Sequence, residues 1–395
     1  MPIVRIRPGH VRPLWAGHPW VYAQAVAKLE GQAAEGDLVD VLDPHDNFLG
    51  AGFYAPKSAL VVRILSRTRG ETIDAPFFRR RLQAALDLRK HWLGMPRPDT
   101  DGYRLVHAEG DALPGLIADV FGDALVVQLL TAGMKRLESE ILPALLEVSG
   151  AATVIEMPSR EHQEQEGFSV EPRVVHGRAA SELRFRERGF EYCLPFESAQ
   201  KTGFYFDQRE NRARLEDLCR GRRVLDLCSY VGAFALAAAR GGASRVVAID
   251  RSESALALGR DAAARAGLCD RIAFERGDLK KALPELIAER TRFDVVVLDP
   301  PKLAHGVKQL ERARATYRLW NSQAFALCEP GGLIVSCSCS AAMQPHDFLR
   351  TLALAGADAG REPSLIALGE QAPDHPTPAA FQEGRYLKAA FLRVK

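Results

Sequence analysis

The stretch Arg223-Val-Leu-Asp-Leu-Cys-Ser-Tyr-Val-Gly232, continued by Ala233-Phe-Ala-Leu-Ala-Ala-Ala-Arg240, decides the fold. Five mostly apolar residues run into a short turn, and an alanine-rich helical segment follows at once. The same alternation recurs downstream: strands are expected at residues 223–227, 245–249, 271–275, 294–298 and 333–337. Helices rich in Ala, Leu and Arg are expected between them, at 233–240, 252–266, 279–289 and 311–327. Strands that alternate with helices predict an α/β fold with a doubly wound, mostly parallel sheet. In such sheets a ligand binds beyond the carboxyl ends of the strands, so the residues just after each strand carry the chemistry.

Upstream the texture differs. Residues 37–42, 48–54 and 60–65 alternate apolar and polar side chains around the turn Asp43-Pro44-His45-Asp46, which predicts a small β-rich barrel. A helical stretch over 75–92 carries the basic run Arg79–Arg81. Strand-like runs at 103–107, 115–120, 124–130 and 153–157, with a helix near 135–148, predict a small α+β region. The expected division is 1–74, 75–186 and 187–395.

The 395 residues are 47% hydrophobic and 26% charged with a formal net charge of +2, the balance of a water-soluble globular chain. Bulk charge names no partner. No stretch approaches a membrane span or a signal core, so a cytoplasmic location is expected. The seven cysteines form no CxxC pair and have no zinc-spaced His, so neither disulfides nor metal is expected.

After the first strand, Asp226-Leu-Cys-Ser-Tyr-Val-Gly232 lacks the G-x-G-x-x-G that a dinucleotide pyrophosphate needs; only Gly232 fits. An acid at the strand end suits a ligand with positive charge and no phosphate, such as S-adenosylmethionine with its amino group and sulfonium. Asp250 ends the second strand, where a carboxylate can accept from ribose hydroxyls, and Asp278 follows the third, where it can accept from an adenine amino group. Asp299 follows the fourth. Ser229 and Ser252 stand in the adjoining turns. Each acid alone could be a helix cap or a turn residue; four after four successive strands point to a class I methyltransferase.

Asp299-Pro-Pro-Lys302 resembles the (Asn/Asp/Ser)-Pro-Pro-Tyr box of amino-group methyltransferases, with Lys302 where the stacking aromatic would be. The fifth strand runs on through Ser336-Cys-Ser-Cys-Ser340, which places two thiols at i and i+2 on one face of the strand. Carbon 5 of cytosine is too poor a nucleophile to take a methyl group directly. A thiolate added at carbon 6 makes carbon 5 enamine-like, and a carboxyl group at N3 stabilises the adduct. Thiol and acid are both present, with Lys302 or the cofactor sulfonium as the expected source of positive charge beside the thiol. Spacing does not choose between Cys337 and Cys339.

At these residues the chain resembles the bacterial 23S rRNA (cytosine-5) methyltransferase I family. The likeness runs through Tyr103 to Asp119, Gln200 to Arg209, Asp226 to Phe234, Asp299 to Lys302, Ser338-Cys-Ser340 and Asp374-His-Pro376. It implies a PUA domain, a small α+β domain and a Rossmann-like catalytic domain. It also implies Cys339 as nucleophile, S-adenosyl-L-methionine as methyl donor with Thr202, Phe204 and Phe206 against it, and 23S rRNA or a large-subunit precursor as substrate. A homodimer is compatible with it. RNA contacts are expected from Arg5, Arg7, Arg12 and Trp20, with His10, Trp15 and His18 interleaved and Arg63, Arg67, Arg69 and Arg79–Arg81 as an extension. Three alternatives remain: an rRNA guanine methyltransferase, which needs no thiol; a non-catalytic assembly factor that binds the cofactor without turnover; and a nicotinamide oxidoreductase, disfavoured by the missing glycines.

Overall fold

A computed structural model describes residues 1–159, 164, 166, 168–178, 182–196 and 203–395. Two compact units emerge. The first comprises Met1–Gly189, Leu194–Phe206 and Pro373–Gly384; the second comprises Phe190–Cys193, Asp207–Ala372 and Arg385–Lys395.

The first unit begins with a six-stranded sheet of β1 (Ile3–Ile6), β2 (Trp20–Tyr22), β3 (Val26–Glu30), β4 (Leu38–Leu42), β5 (Phe48–Tyr54) and β6 (Leu60–Ser66), in the order β2-β6-β5-β4-β1-β3. The turn at Asp43 forms because its carboxylate accepts from the backbone of His45 and Asn47, an Asx-type turn that fixes the β4–β5 hairpin. Val4, Ile6, Val39, Val41 and Val62 fill the interior. A second sheet of β7 (Gly102–His107), β8 (Leu116–Phe121), β9 (Ala124–Leu129), β10 (Thr153–Glu156) and β11 (Arg173–His176) runs in the order β11-β10-β9-β8-β7. The helices Ala75–Asp87 and Glu138–Ser149 pack on it; Asp74 caps the first by accepting from the Phe77 amide. Two short strands, β12 (Glu182–Glu187) and β13 (Phe190–Pro195), follow along the chain.

The Tyr103–Asp119 and Asp374–Pro376 segments meet in this first unit. Arg89, fully buried, makes a two-pronged pair with Asp111 and donates to the Asp374 carbonyl at 2.7 Å. Arg104 pairs with Asp119 at 2.6 and 2.9 Å, and its amide donates to the Asp374 carboxylate. A side chain on Gly110 would come within 1.9 Å of the Pro376 carbonyl, so close packing requires glycine there. Pairing of this kind offsets much of the cost of burying the charges.

The second unit holds a seven-stranded sheet: β14 (Arg223–Leu227), β15 (Arg245–Asp250), β16 (Ile272–Arg276), β17 (Phe293–Leu298), β18 (Cys328–Ser338), β19 (Pro363–Gly369) and β20 (Lys388–Val394). The order is β16-β15-β14-β17-β18-β20-β19; the first five strands are parallel, and β20 runs antiparallel to both β18 and β19. The central strands are buried along most of their length and rich in Val and Leu, as strands covered on both faces must be. The chain walks outward from β14 to β16 and restarts at β17, which puts the switch point between β14 and β17. The α/β reading holds, and each of the five expected strands is found within this sheet. No helix among the described residues is long and apolar enough to cross a membrane.

Candidate active site

The acids singled out by sequence stand along one edge of the sheet, in the order its topology dictates. Asp278 follows β16, Asp250 ends β15, Asp226 lies in β14, Asp299 follows β17 and Cys339 follows β18. Asp226 and Asp299 therefore flank the switch point.

Between β14 and the helix Ala233–Arg240 the backbone is contorted. Cys228 (φ 59°), Tyr230 (φ 52°) and Gly232 (φ 68°) are all left-handed, an unfavourable choice for the two residues with side chains. The loop is held by Asp250, whose carboxylate accepts from the amides of Tyr230 at 2.9 Å and Ser252 at 2.8 Å. At Gly232 a Cβ would meet the Phe274 ring at 2.6 Å. Asp226 is buried; one oxygen accepts from the Ala235 amide and the other has no partner. Burial, then the charges of Asp299 and Asp250, push its carboxyl well above the usual range. The Ser229 hydroxyl is likewise buried and unpartnered. Ser252 caps the helix Glu253–Arg265, and Asp278 caps Leu279–Ala288 while lining a cleft of about 520 Å³ with Ile249, Arg251 and Gly277.

These groups fit S-adenosylmethionine. Orphaned buried acceptors at Asp226 and Ser229 suit a donor such as an amino group, and the loop after β14 lacks the G-x-G-x-x-G that cradles a pyrophosphate. Thr202 lies outside the described residues. Phe204 and Phe206 belong to the first unit, where their buried rings cluster with Phe121 and Phe185 at centroid separations of 5.0–5.5 Å.

The two thiols are not equivalent. Sequence periodicity put them on one face of a continuing strand, but β18 ends at Ser338. Cys337 is sealed at 0% exposure, while Cys339, beyond the strand end, is partly exposed. Burial pushes the Cys339 thiol up to about 12, Asp299 and Asp207 add to the rise, and Lys302 and Lys388 oppose it. Asp299 is itself raised to about 7, by burial first and then by Asp207. Asp299 accepts from Gln208 at 3.0 Å, and Asn211 donates to Gln208 at 2.7 Å. Lys302 is exposed.

Several participants carried no signal in spacing. Gln208 sits beside Asp207 and Arg209, which read as ordinary helix-start charges. Asp207 instead accepts from the Tyr386 hydroxyl at 2.6 Å, and Lys388 donates to the Ser340 carbonyl at 2.7 Å. Both partners come from the chain's end, through the β18–β20 pairing of Ser338 with Lys388.

Of the basic residues expected to face RNA, Arg5 is tied to Glu30 at 2.8 Å and Asp46 at 2.9 Å. The Trp20 indole donates to Glu109 at 2.7 Å and its ring packs on Phe381. Arg7 and Arg12 are exposed, as is Trp15 at 78%. The expected extension is largely engaged within the fold. Arg67 donates to the carbonyls of Leu14, Leu49 and His18, while Arg63, Arg79 and Arg80 pair with Glu166, Glu147 and Glu71.

Residues 4–67 match the family described as PUA-like domain, and residues 104–384 match S-adenosylmethionine-dependent methyltransferase. A crystal structure of a methyltransferase complexed with SAH superposes over 100% of both chains with a TM-score of 0.87 at 20% identity. A SAM-dependent methyltransferase from Streptococcus mutans covers 100% of both at 0.86, also at 20% identity. These two share the fold. Ribosomal RNA large subunit methyltransferase I of Erwinia tasmaniensis is 37% identical over 388 residues, 98% of each chain, and that of Alteromonas mediterranea is 36% identical over 392, 99% of this chain and 98% of that one. With identity of that order across nearly the full length of both chains, this protein belongs to the ribosomal RNA large subunit methyltransferase I family and is an S-adenosylmethionine-dependent methyltransferase.

Proposed function

We propose that this enzyme methylates carbon 5 of a cytosine in 23S rRNA, or its large-subunit precursor, through a covalent adduct on Cys339. The observation that carries this reading is the partly exposed Cys339 set beside Asp299 and Lys302 at the carboxyl edge of the sheet, with the second thiol sealed away.

Cys339 Sγ, having passed its proton to the Asp299 carboxylate, bonds to carbon 6. The displaced electron pair moves through the ring to N3, which takes the proton of the Asp299 carboxyl; that O–H bond breaks as the N–H bond forms. Carbon 5 is thereby electron-rich. The methyl group that carbon 5 takes up would come from the sulfonium of a bound S-adenosylmethionine, which methyl transfer would convert to a neutral thioether. Solvent water then takes the carbon-5 proton, the freed electron pair re-forms the C5=C6 double bond as the C–S bond breaks, Cys339 leaves as thiolate, and the N3 proton returns to the Asp299 carboxylate.

Asp299 has a double duty. Protonated, it can donate to N3, and it no longer repels a thiolate on Cys339. The carboxyl's rise to about 7 keeps this form populated near neutrality. The reactive arrangement, neutral acid with thiolate, is a proton tautomer of the resting one, so the pair titrates as a unit.

Asp226, Ser229, Asp250 and Asp278 would hold the cofactor, the first two through their unsatisfied oxygens. Arg7, Arg12 and Trp15 offer the outward charge and ring surface through which the PUA-like domain would meet RNA, and the target base must leave its stack to reach the thiol. Arg5 and Trp20 support that surface from within.

The test is a mechanism-based trap. Ribosomal RNA transcribed with 5-fluorocytidine, which has no removable carbon-5 proton, is incubated with cofactor and enzyme and resolved under denaturing conditions. Wild type and Cys337→Ala give a stable protein–RNA adduct; Cys339→Ala gives none. An adduct that survives in Cys339→Ala, or none with wild type that methylates normal RNA, overturns the covalent route.

A further inference from the structure

Lys388 is 1% exposed, on the strand hydrogen-bonded to β18. Its Nζ donates at 2.7 Å to two backbone carbonyls, those of Ser340 and Tyr386. The first belongs to the residue after Cys339. A buried lysine is costly unless paired, and no carboxylate is paired with Lys388 among the described residues. Two carbonyls use two of its three donors.

We propose that Lys388 is the buried counter-charge of Cys339 and holds in place the turn that presents its thiol. This deepens the covalent reading above and rests on it.

The charged and titratable groups around Cys339 support the assignment. Asp299 and Asp207 oppose a thiolate there, whereas Lys302 and Lys388 favour it; Cys337 lies below on β18, and Tyr317 approaches from the helix Leu310–Leu327. Of the two cations, Lys302 is the stronger influence on the thiol but stands in solvent, where salt screens its field, whereas Lys388 acts from within the protein, where salt does not reach. Burial draws Lys388 down to about 8, and Cys339 draws it back up, so the two sites affect each other's ionisation. The clamp also explains the local covalent order: β18 ends at Ser338, the Ser340 hydroxyl accepts from the Ala304 amide at 3.2 Å, and its carbonyl is taken by Lys388, so Cys339 is fixed from the residue that follows it. Lys388 acts through Cys339 and is a positioning residue.

The test reads the thiol directly. Full-length, cofactor-free protein is alkylated with iodoacetamide from pH 6.5 to 9.5, and the rate at Cys339 is followed by peptide mass mapping in wild type, Lys388→Met, Lys388→Arg and Lys302→Met. At pH 7 Lys388→Met slows the reaction by at least about tenfold, because each unit added to a thiol's pKa costs tenfold in thiolate. Lys388→Arg stays near wild type at pH 7. Above pH 9 it outruns wild type, since arginine keeps the charge that lysine surrenders there. In about 1 M salt, which screens an exposed charge, Lys302→Met changes the rate by less than Lys388→Met.

A purely structural lysine moves neither the pH profile nor the order of the two cations. Thermal melting of each variant establishes folding; if Lys388→Met does not fold, the Lys388→Arg profile decides. An unchanged profile in folded Lys388→Met overturns the proposal, as does a Lys388→Arg profile displaced upward in pH. Alkylation needs no RNA, so a Lys388–Cys339 coupling that holds while Cys339→Ala still methylates would refute the covalent route and leave the pairing intact.

Discussion

Asp299→Asn should make the enzyme more stable and nearly inactive, and the gain should depend on pH. The carboxyl is lifted from 3.8 to about 7 by burial and by Asp207. Between those values the folded protein binds a proton that the unfolded chain has released, so stability falls as pH rises through this window. A shift of about three units corresponds to roughly 4 kcal/mol at full ionisation, an upper figure for a partly exposed group. At pH 5 most of this penalty is absent because the folded carboxyl is protonated; by pH 8 it is complete. Asparagine keeps an oxygen that can accept from Gln208 and never ionises. The variant's advantage over wild type should therefore grow by roughly 2–3 kcal/mol from pH 5 to pH 8. Urea unfolding at several pH values, followed by fluorescence, measures it. Methyl transfer should meanwhile fall by about 10²–10⁴, since an amide has no proton to give N3. A stability gap that stays flat across pH, or a variant weaker than wild type at pH 8, would refute the reasoning.

Other outcomes follow from the same geometry. Asp250→Ala releases the amides of Tyr230 and Ser252 together and should weaken cofactor binding at least about tenfold by calorimetry, an interaction worth about 1.4 kcal/mol or more. Gly232→Ala forces a Cβ to within 2.6 Å of Phe274 at a φ of 68°; unfolding should show a loss of at least about 1–2 kcal/mol. Arg89→Met strands Asp111 and the Asp374 carbonyl in the interior and should cost about 3–5 kcal/mol in chemical denaturation, with cofactor affinity retained in whatever fraction folds.

The parts of this protein that were legible in sequence are those governed by local pattern. Residues 223–227 read as a strand and are one, and Asp278 caps the helix that follows it, one of the two readings its position allowed, because periodicity and capping act over a few residues. The acids after successive strands were equally visible, since a doubly wound sheet places consecutive strand ends along one edge. What escaped depends on contacts between distant segments. Lys388 lies 49 residues after Cys339 and reaches the neighbouring Ser340 carbonyl from an antiparallel strand that breaks the alternating pattern. Gln208 precedes Asp299 by 91 residues and looks like any polar residue at a helix start. The inequality of Cys337 and Cys339 was hidden for a different reason: period-two alternation assumes that the strand goes on, and only the structure shows it stopping between them. The fate of Arg5 and Arg67, one paired and one bonded to three carbonyls, was likewise invisible in a run of basic residues.

The central claim is most directly tested by product analysis. Large-subunit rRNA is incubated with methyl-labelled cofactor and wild type, Cys337→Ala or Cys339→Ala, then digested to nucleosides and separated. Labelled 5-methylcytidine from wild type and Cys337→Ala, with none from Cys339→Ala, is the predicted result. Label in a guanosine derivative, or 5-methylcytidine undiminished in Cys339→Ala, would contradict it.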